Sequence, residues 1–257
     1  AAGLIDAIEP VMERITVADD LASTVSDADY VQESVFERTD VKRTISLGID
    51  AAMRPDAVVG SSSSGIPSSA FTEGCTNRAR FLIAHPVNPP HLIPLVELVP
   101  APWTDAAVVE WLRAEMEAVG QAPIVVRKEV EGFVLNRLQG ALLNEAWALF
   151  EDGVASTADI DLTISHGLGY RWSFMGPFET IDLNAPGGIA DYAARLGPLY
   201  HSIALSRTRP RPWSPELVGA VEAERREKLS AAELSERGAW RDRKLMALVA
   251  HKHGSED

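Results

Sequence analysis

The feature that most constrains this chain is a change of rhythm near residue 128. Before it, short β-type runs alternate with helix-length amphipathic patterns; after it, the strand runs stop. Candidate strands are 15–19 (ITVAD), 29–35 (DYVQESV), 57–61 (AVVGS), 80–85 (RFLIAH), 95–99 (LVELV) and 123–127 (PIVVR). The spacing predicts helices over 39–53 and 104–119. The second has Thr104 as its N-cap, Val108, Leu112, Met116 and Val119 along one face, and Gly120 as its stop. Strands alternating with helices imply βαβ units and a mostly parallel sheet. Beyond residue 128 come a helix over 132–151, a capping box at 156–159, Pro177 in a first turn, and two serine-opened helices. The expected fold class is α/β: a Rossmann-type, mostly parallel sheet over 1–128, followed by an all-α domain over 129–257.

At 257 residues and 46% hydrophobic content, the chain can build such cores. A net charge of −13 offers no basic footprint for phosphate, which argues against nucleic acid and anionic membrane as partners. The single cysteine, Cys75, excludes an intrachain disulfide and a cysteine-based zinc site, and fits a cytoplasmic setting. No apolar run approaches the roughly 18 residues a membrane span requires. The N-terminus carries no signal-peptide pattern.

His85 ends the run RFLIAH and is followed by Pro86. In an open parallel sheet, ligands bind beyond the carboxyl ends of the strands, and a neutral imidazole can take and return a proton near pH 7. The plainer alternative is a histidine that caps a strand. Glu97 follows twelve residues on, among Leu95, Val96, Leu98 and Val99. A carboxylate buried there needs a partner, and one bonded to a histidine would fix its tautomer. The run SSSSGI (61–66) ends another strand at the same edge, where serine hydroxyls could reach a ligand or simply form a flexible turn. No G-x-S-x-G elbow supports a serine hydrolase. Asn136 is an amide on an apolar helix face. Arg171 stands in a glycine- and aromatic-rich turn, where a guanidinium could clamp a carboxylate.

Read together, SSSSGI, AHPVNPPHLIPLVELV, EGFVLNRL and MGPFETIDL resemble, in order and spacing, the 3-hydroxyacyl-CoA dehydrogenase family. The match is nearest to its lambda-crystallin / L-gulonate 3-dehydrogenase branch, and it extends over about residues 15–205. The resemblance implies NAD as cofactor, and the apolar helical domain points to a homodimer. The resemblance further implies His85 as the general base, Glu97 as its orienting partner, and Ser64 and Asn136 on the substrate oxygen. Glu33 would lie near the cofactor ribose, with Ser61 and Ser62 on the nicotinamide side. RWSF (171–174), between the Gly-Tyr turn and MGPFE, is similar to the branch acting on small free hydroxy acids, so Arg171 is expected to bind a substrate carboxylate. L-gulonate is the first candidate. L-carnitine, a 3-hydroxyacyl-CoA, and a non-catalytic crystallin-like or truncated role stay open.

One family element is not found. No strand–GxGxxG–helix fingerprint occurs in the chain, and GLG at 167–169 lies in the helical part. The resemblance starts partway through the first domain, so this sequence is expected to be a fragment or a natural short form. Its NAD affinity is accordingly expected to be weak or nil, and one sheet edge is expected to be exposed.

Overall fold

The computed structural model describes residues 7–207, 209 and 211–253. Five strands form one sheet in the order β1-β2-β3-β4-β5: Tyr30–Glu33, Val58–Ser61, Phe81–Pro86, Leu95–Pro100 and Ala122–Val125. Every neighbouring pair is parallel except β3 with β4, which is antiparallel. The α/β, Rossmann-like class and the mostly parallel sheet are as expected from the sequence.

The central strands are buried on both faces, and their consecutive residues divide between two layers, as the pleat requires. Val58, Leu82, Ala84 and Leu98 pack against Val108, Val109 and Leu112 of the helix Ala106–Ala118. Val59 and Phe81 point the other way, onto Ile49 and Met53 at the end of the helix Thr39–Ala52. Farther along that second face, Ile83 and Val99 meet Phe71, Val126 and Phe133. This third cluster lies directly below the residues of chemical interest.

Close packing leaves no room for a side chain at Gly60 on β2. A Cβ there would stand 2.8 Å from the Ala84 Cβ and run into the Tyr30 hydroxyl. Gly60→Ala is expected to cost about 1–3 kcal/mol through overpacking, read as a lower midpoint in urea unfolding. An unchanged midpoint would mean that β1 is free to move away.

Two expectations are corrected. The run 15–19 forms no strand: Ile15 and Val17 are 60% and 90% exposed, and the chain leads instead into Asp20, which caps the helix Leu21–Val25 through the Ser23 amide. Thr104 is not the N-cap of the next helix. Its hydroxyl donates to the Phe81 carbonyl at 2.6 Å and accepts from the Ala101 amide, so that Asp105 takes the cap position. Gly120 does stop that helix, with φ 80°.

The described chain divides into two compact units. The first runs through Gly140 and includes the residues from Glu236 onward; the second is Ala141–Ser235. The division falls inside the helix Leu135–Glu151. Beyond β5 no strand occurs among the described residues. Ser156 and Ser214 cap helices through side-chain hydrogen bonds, and Ser230 forms a capping box with Glu233. Pro177 occupies the first turn of its helix. Among the described residues, no helix is long and apolar enough to cross a membrane.

Candidate active site

The antiparallel register of β3 and β4 places His85 opposite Glu97, just as Ile83 stands opposite Val99. Directly opposed residues present their side chains on one face, so the twelve-residue interval is what brings the pair together. His85 Nδ1 lies 2.8 Å from Glu97 Oε2. Glu97 is fully buried and His85 nearly so. The other carboxylate oxygen, Oε1, accepts from the amides of Val134 and Leu135, both at 2.9 Å. Those amides open the helix Leu135–Glu151, whose dipole favours an anion at that end.

The charge state follows from these contacts. Burial pushes the Glu97 carboxyl up, but the His85 hydrogen bond and the Leu135 and Val134 amides outweigh it and hold the group below its ordinary value. An ionised Glu97 takes its hydrogen bond from Nδ1–H, which fixes the neutral tautomer of His85 and leaves the Nε2 lone pair to act as a base.

The turn that aims the two amides is unusual. Gly132 and Phe133 both have positive φ, 74° and 48°. For a bulky side chain this conformation is strained. It persists because the Phe133 ring is wholly buried among Phe71, Ile83, Val99 and Val126. The ring centroid is 6.2 Å from that of His85, at a tilt of 59°. Phe133 therefore walls the imidazole on one side.

The serine run forms the second part of the site. Ser64 lies in the loop after β2, and its carbonyl accepts from Asn136 Nδ2 at 2.6 Å. Asn136 sits one residue past Leu135, so a single helix turn touches both Glu97 and the serine loop. The structure thus brings Ser64, His85, Glu97 and Asn136 together within the first compact unit. Ser62 is half-buried, with its hydroxyl bonded to Gln32 and Ser34.

Glu33 and Ser61 stand differently. Both are buried, and register partners on β1 and β2. Glu33 receives the Ser61 hydroxyl, the Val35 amide at 2.6 Å and Lys42 Nζ at 3.2 Å on each oxygen. Its carboxylate is fully engaged below the surface and is not presented to a ligand. The carboxylate at the rim is Glu37, with a side chain 40% exposed. Its Oε1 accepts from the Ser63 hydroxyl and from the amides of Ser64, Gly65 and Ile66. Burial pushes Glu37 up, yet those donors and the nearby Lys42 charge leave it below its ordinary value. An open cleft of about 660 Å³ lies beside it, lined by Ser64, Gly65, Glu129 and Gly132 among others.

Arg171 belongs to the second unit, in the short helix Gly169–Trp172, and is half-buried there. Among the described residues no carboxylate pairs with it. Its charge acts on the Tyr200 phenol, which hydrogen-bonds Tyr192 at 2.8 Å.

Sequence reading missed Glu37, Lys42 and the Gly132–Phe133 turn. Lys42 had a signal: with Ser46 and Ile49 it lies on the buried stripe of its helix, where a lysine needs a charged partner. Nothing local marked Phe133, because its backbone conformation depends on the cluster around its ring.

Residues 2–130 match the model of the 3-hydroxyacyl-CoA dehydrogenase NAD-binding domain, and residues 132–233 match that family's C-terminal domain. The chain is 40% identical to lambda-crystallin of Oryctolagus cuniculus, over 95% of this chain and 77% of that protein. It is 39% identical to the L-carnitine dehydrogenase of Streptomyces coelicolor, over 92% of this chain and 74% of that one. Among solved structures, the NAD+-dependent 5-formyl-3-hydroxy-2-methylpyridine 4-carboxylic acid 5-dehydrogenase superposes with a TM-score of 0.67. It is 31% identical, with 84% of this chain and 75% of that chain covered.

NAD is the cofactor of the matched domain, and polar groups beyond the carboxyl ends of β1 and β2 suit a ligand rich in hydroxyl and amide groups. Ser62 and Ser64 offer hydroxyls, and Glu37 a carboxylate held in its ionised form, beyond the carboxyl ends of β1 and β2. Among the described residues, no strand, glycine turn and helix N-terminus precede β1 as a pyrophosphate cradle. On the strength of both domain models and of relatives that it matches along nearly its whole length, this chain belongs to the 3-hydroxyacyl-CoA dehydrogenase family.

Proposed function

We propose that this chain oxidises the 3-hydroxyl of a small free hydroxy acid, with L-gulonate as the first candidate, to the 3-oxo acid. The observation that carries the reading is His85, held by ionised Glu97 in the tautomer that leaves Nε2 unprotonated. NAD, when bound, supplies the hydride acceptor. His85 Nε2 takes the hydroxyl proton as the carbon–hydrogen bond breaks, and Glu97 stabilises the imidazolium that results. Ser64 and Asn136 steady the reacting oxygen, and their existing link at 2.6 Å holds them in register. Ser61 and Ser62 serve the nicotinamide side. For Ser61 this service is indirect, through the buried Glu33 that it bonds. Glu33 likewise supports the ribose region from below, through Lys42.

Arg171 binds the substrate carboxylate: it is a half-buried guanidinium without a described carboxylate partner, a state suited to a bidentate anion. The segment from 129 onward acts as the substrate and dimerisation domain of a cytoplasmic homodimer. Exposed Leu199, Ile203 and Leu205 on one helix support that role. The competing substrates are L-carnitine, suggested by the Streptomyces relative, and a 3-hydroxyacyl-CoA, suggested by the family.

The test is a parallel assay of the chain with NAD and L-gulonate, L-carnitine or 3-hydroxybutyryl-CoA, after NADH binding has been scored by fluorescence. Turnover is expected to favour the free acid. Arg171→Ala is expected to raise its KM about 10–100-fold with a smaller change in kcat. Preference for the thioester, or an unchanged KM in the variant, would overturn the free-acid reading. NADH binding without turnover of any of the three would leave a crystallin-like role.

A further inference from the structure

We infer that Phe133 is a positioning residue: its buried ring sets where the Gly132–Phe133 turn presents its amides to Glu97, and through Glu97 it fixes the place and tautomer of His85. The inference rests on the proposed role of His85 as the base.

The strands make the seat for the ring. Ile83 lies two residues before His85 on β3, Val99 lies two residues after Glu97 on β4, and Ile83 and Val99 are register partners just as His85 and Glu97 are. Side chains two apart on a strand share a face. The Phe133 ring therefore rests on the face that carries the His85–Glu97 pair, one pleat repeat along from it. Phe71, from the helix Ser69–Thr72, and Val126, just past β5, close round the ring and leave it 0% exposed. Four separate segments thus hold one side chain.

The backbone of that residue would not choose its own conformation. Phe133 is strained at φ 48°, whereas Gly132 beside it takes φ 74° with no side chain to clash. Such strain persists only where the surroundings over-determine it. Here it serves the site. The next two residues, Val134 and Leu135, aim their amides at Glu97 Oε1, each at 2.9 Å. With Oε1 so engaged, Oε2 is the oxygen that meets His85 Nδ1 at 2.8 Å. Asn136 follows directly, and its amide reaches the Ser64 carbonyl. If the ring left its seat, the turn would relax, and Glu97 and Asn136 would both lose their fixed places. The Phe133 side chain has no polar atom, so its part in the chemistry is through these neighbours.

The test compares Phe133→Gly with Phe133→Leu in the full chain. Glycine accepts a positive φ freely but leaves the seat empty; leucine keeps the strain and fills most of the space. The readouts are amide hydrogen exchange at Val134 and Leu135, the His85 tautomer from imidazole nitrogen NMR shifts assigned with His85→Gln, and steady-state kinetics with NAD and the preferred hydroxy acid. In Phe133→Gly, exchange at both amides is expected to rise about tenfold or more, and His85 to lose its single Nδ1–H tautomer. kcat is expected to fall about 10–100-fold, with KM for the hydroxy acid within a few-fold. Phe133→Leu is expected to keep most of the parental behaviour in every readout. A glycine variant with parental exchange and tautomer overturns the inference, since the turn would then hold itself. A leucine variant as impaired as the glycine one also overturns it, because filling the seat would then restore nothing. So does a fall in kcat with exchange and tautomer intact, which would set Phe133 against the substrate. If Phe133→Gly fails to fold, Val126→Ala opens the same cluster from another wall. It is expected to move exchange and tautomer in the same direction by a smaller factor, and parental values there overturn the inference. Exchange and tautomer altered as expected, with kcat unchanged, would leave the positioning role standing and remove His85 as the base.

Discussion

Glu97→Gln is expected to lower kcat by roughly 10²–10⁴-fold while leaving the substrate KM within a few-fold. The glutamine carbonyl can still accept the Val134 and Leu135 amides, so the turn at Gly132–Phe133 keeps its anchor. What is lost is the charge beside Nδ1. An amide NH₂ facing Nδ1 would favour the tautomer with its proton on Nε2, the wrong form for a base. His85→Gln is expected to cost a similar factor, and the double variant no more than His85→Gln alone, because the two side chains act as one unit. Fully additive losses would show that Glu97 serves catalysis by some route other than His85.

The same substitution has a pH signature. The Glu97 carboxyl is depressed in the folded protein, so it contributes stability at pH values above its unfolded position and loses it as pH falls through the folded one. The stability gap between the parent and Glu97→Gln is therefore expected to be full near neutrality. It should narrow below the ordinary glutamate range, about pH 4. Thermal melts at pH 7 and at successively lower pH read this directly. A gap that widened toward acid would mean that the native carboxyl is protonated.

How much of this was visible in the sequence depends on how local each feature is. The pairing of His85 with Glu97 was implied by the family resemblance and not by the strand pattern, which pointed to parallel neighbours; the antiparallel register of β3 and β4 that makes the pair is a tertiary feature. Helix bounds followed from caps and glycines, as at Ser156, Ser214 and Gly120. Thr104 misled because a threonine before a helix can also tie a loop to a strand, and its choice of the Phe81 carbonyl is a tertiary matter. ITVAD has the composition of a strand, but a strand exists only where a neighbour supplies the ladder, and none does among the described residues. Glu33 and Glu37 are four residues apart, and nothing local says which of the two is buried. The register of β1 with β2 decides it, by turning Glu33 and Ser61 under the helix that carries Lys42.

That buried group carries the largest expected effect on stability. Lys42 is 1% exposed, and its ammonium contacts Glu33, the Val35 carbonyl, the Ser61 hydroxyl and, at 3.7 Å, Glu37. The net worth of such a pair against an apolar isostere is small, because both charges had to leave water. Removing one partner is another matter, since the remaining charge stays buried without compensation. Lys42→Met matches the stem in volume and deletes only the cation, leaving Glu33 with the Ser61 hydroxyl and the Val35 amide. The expected loss is about 3–5 kcal/mol, seen as a fall of roughly 10 °C in melting temperature. Adding Glu33→Gln to Lys42→Met removes the stranded charge and is expected to recover more than half of that loss, a coupling that a double-mutant cycle measures. If the double variant is as unstable as the sum of the two singles, the lysine acts through packing against Phe71, whose ring centroid is 6.0 Å from its ammonium, and not through the carboxylate.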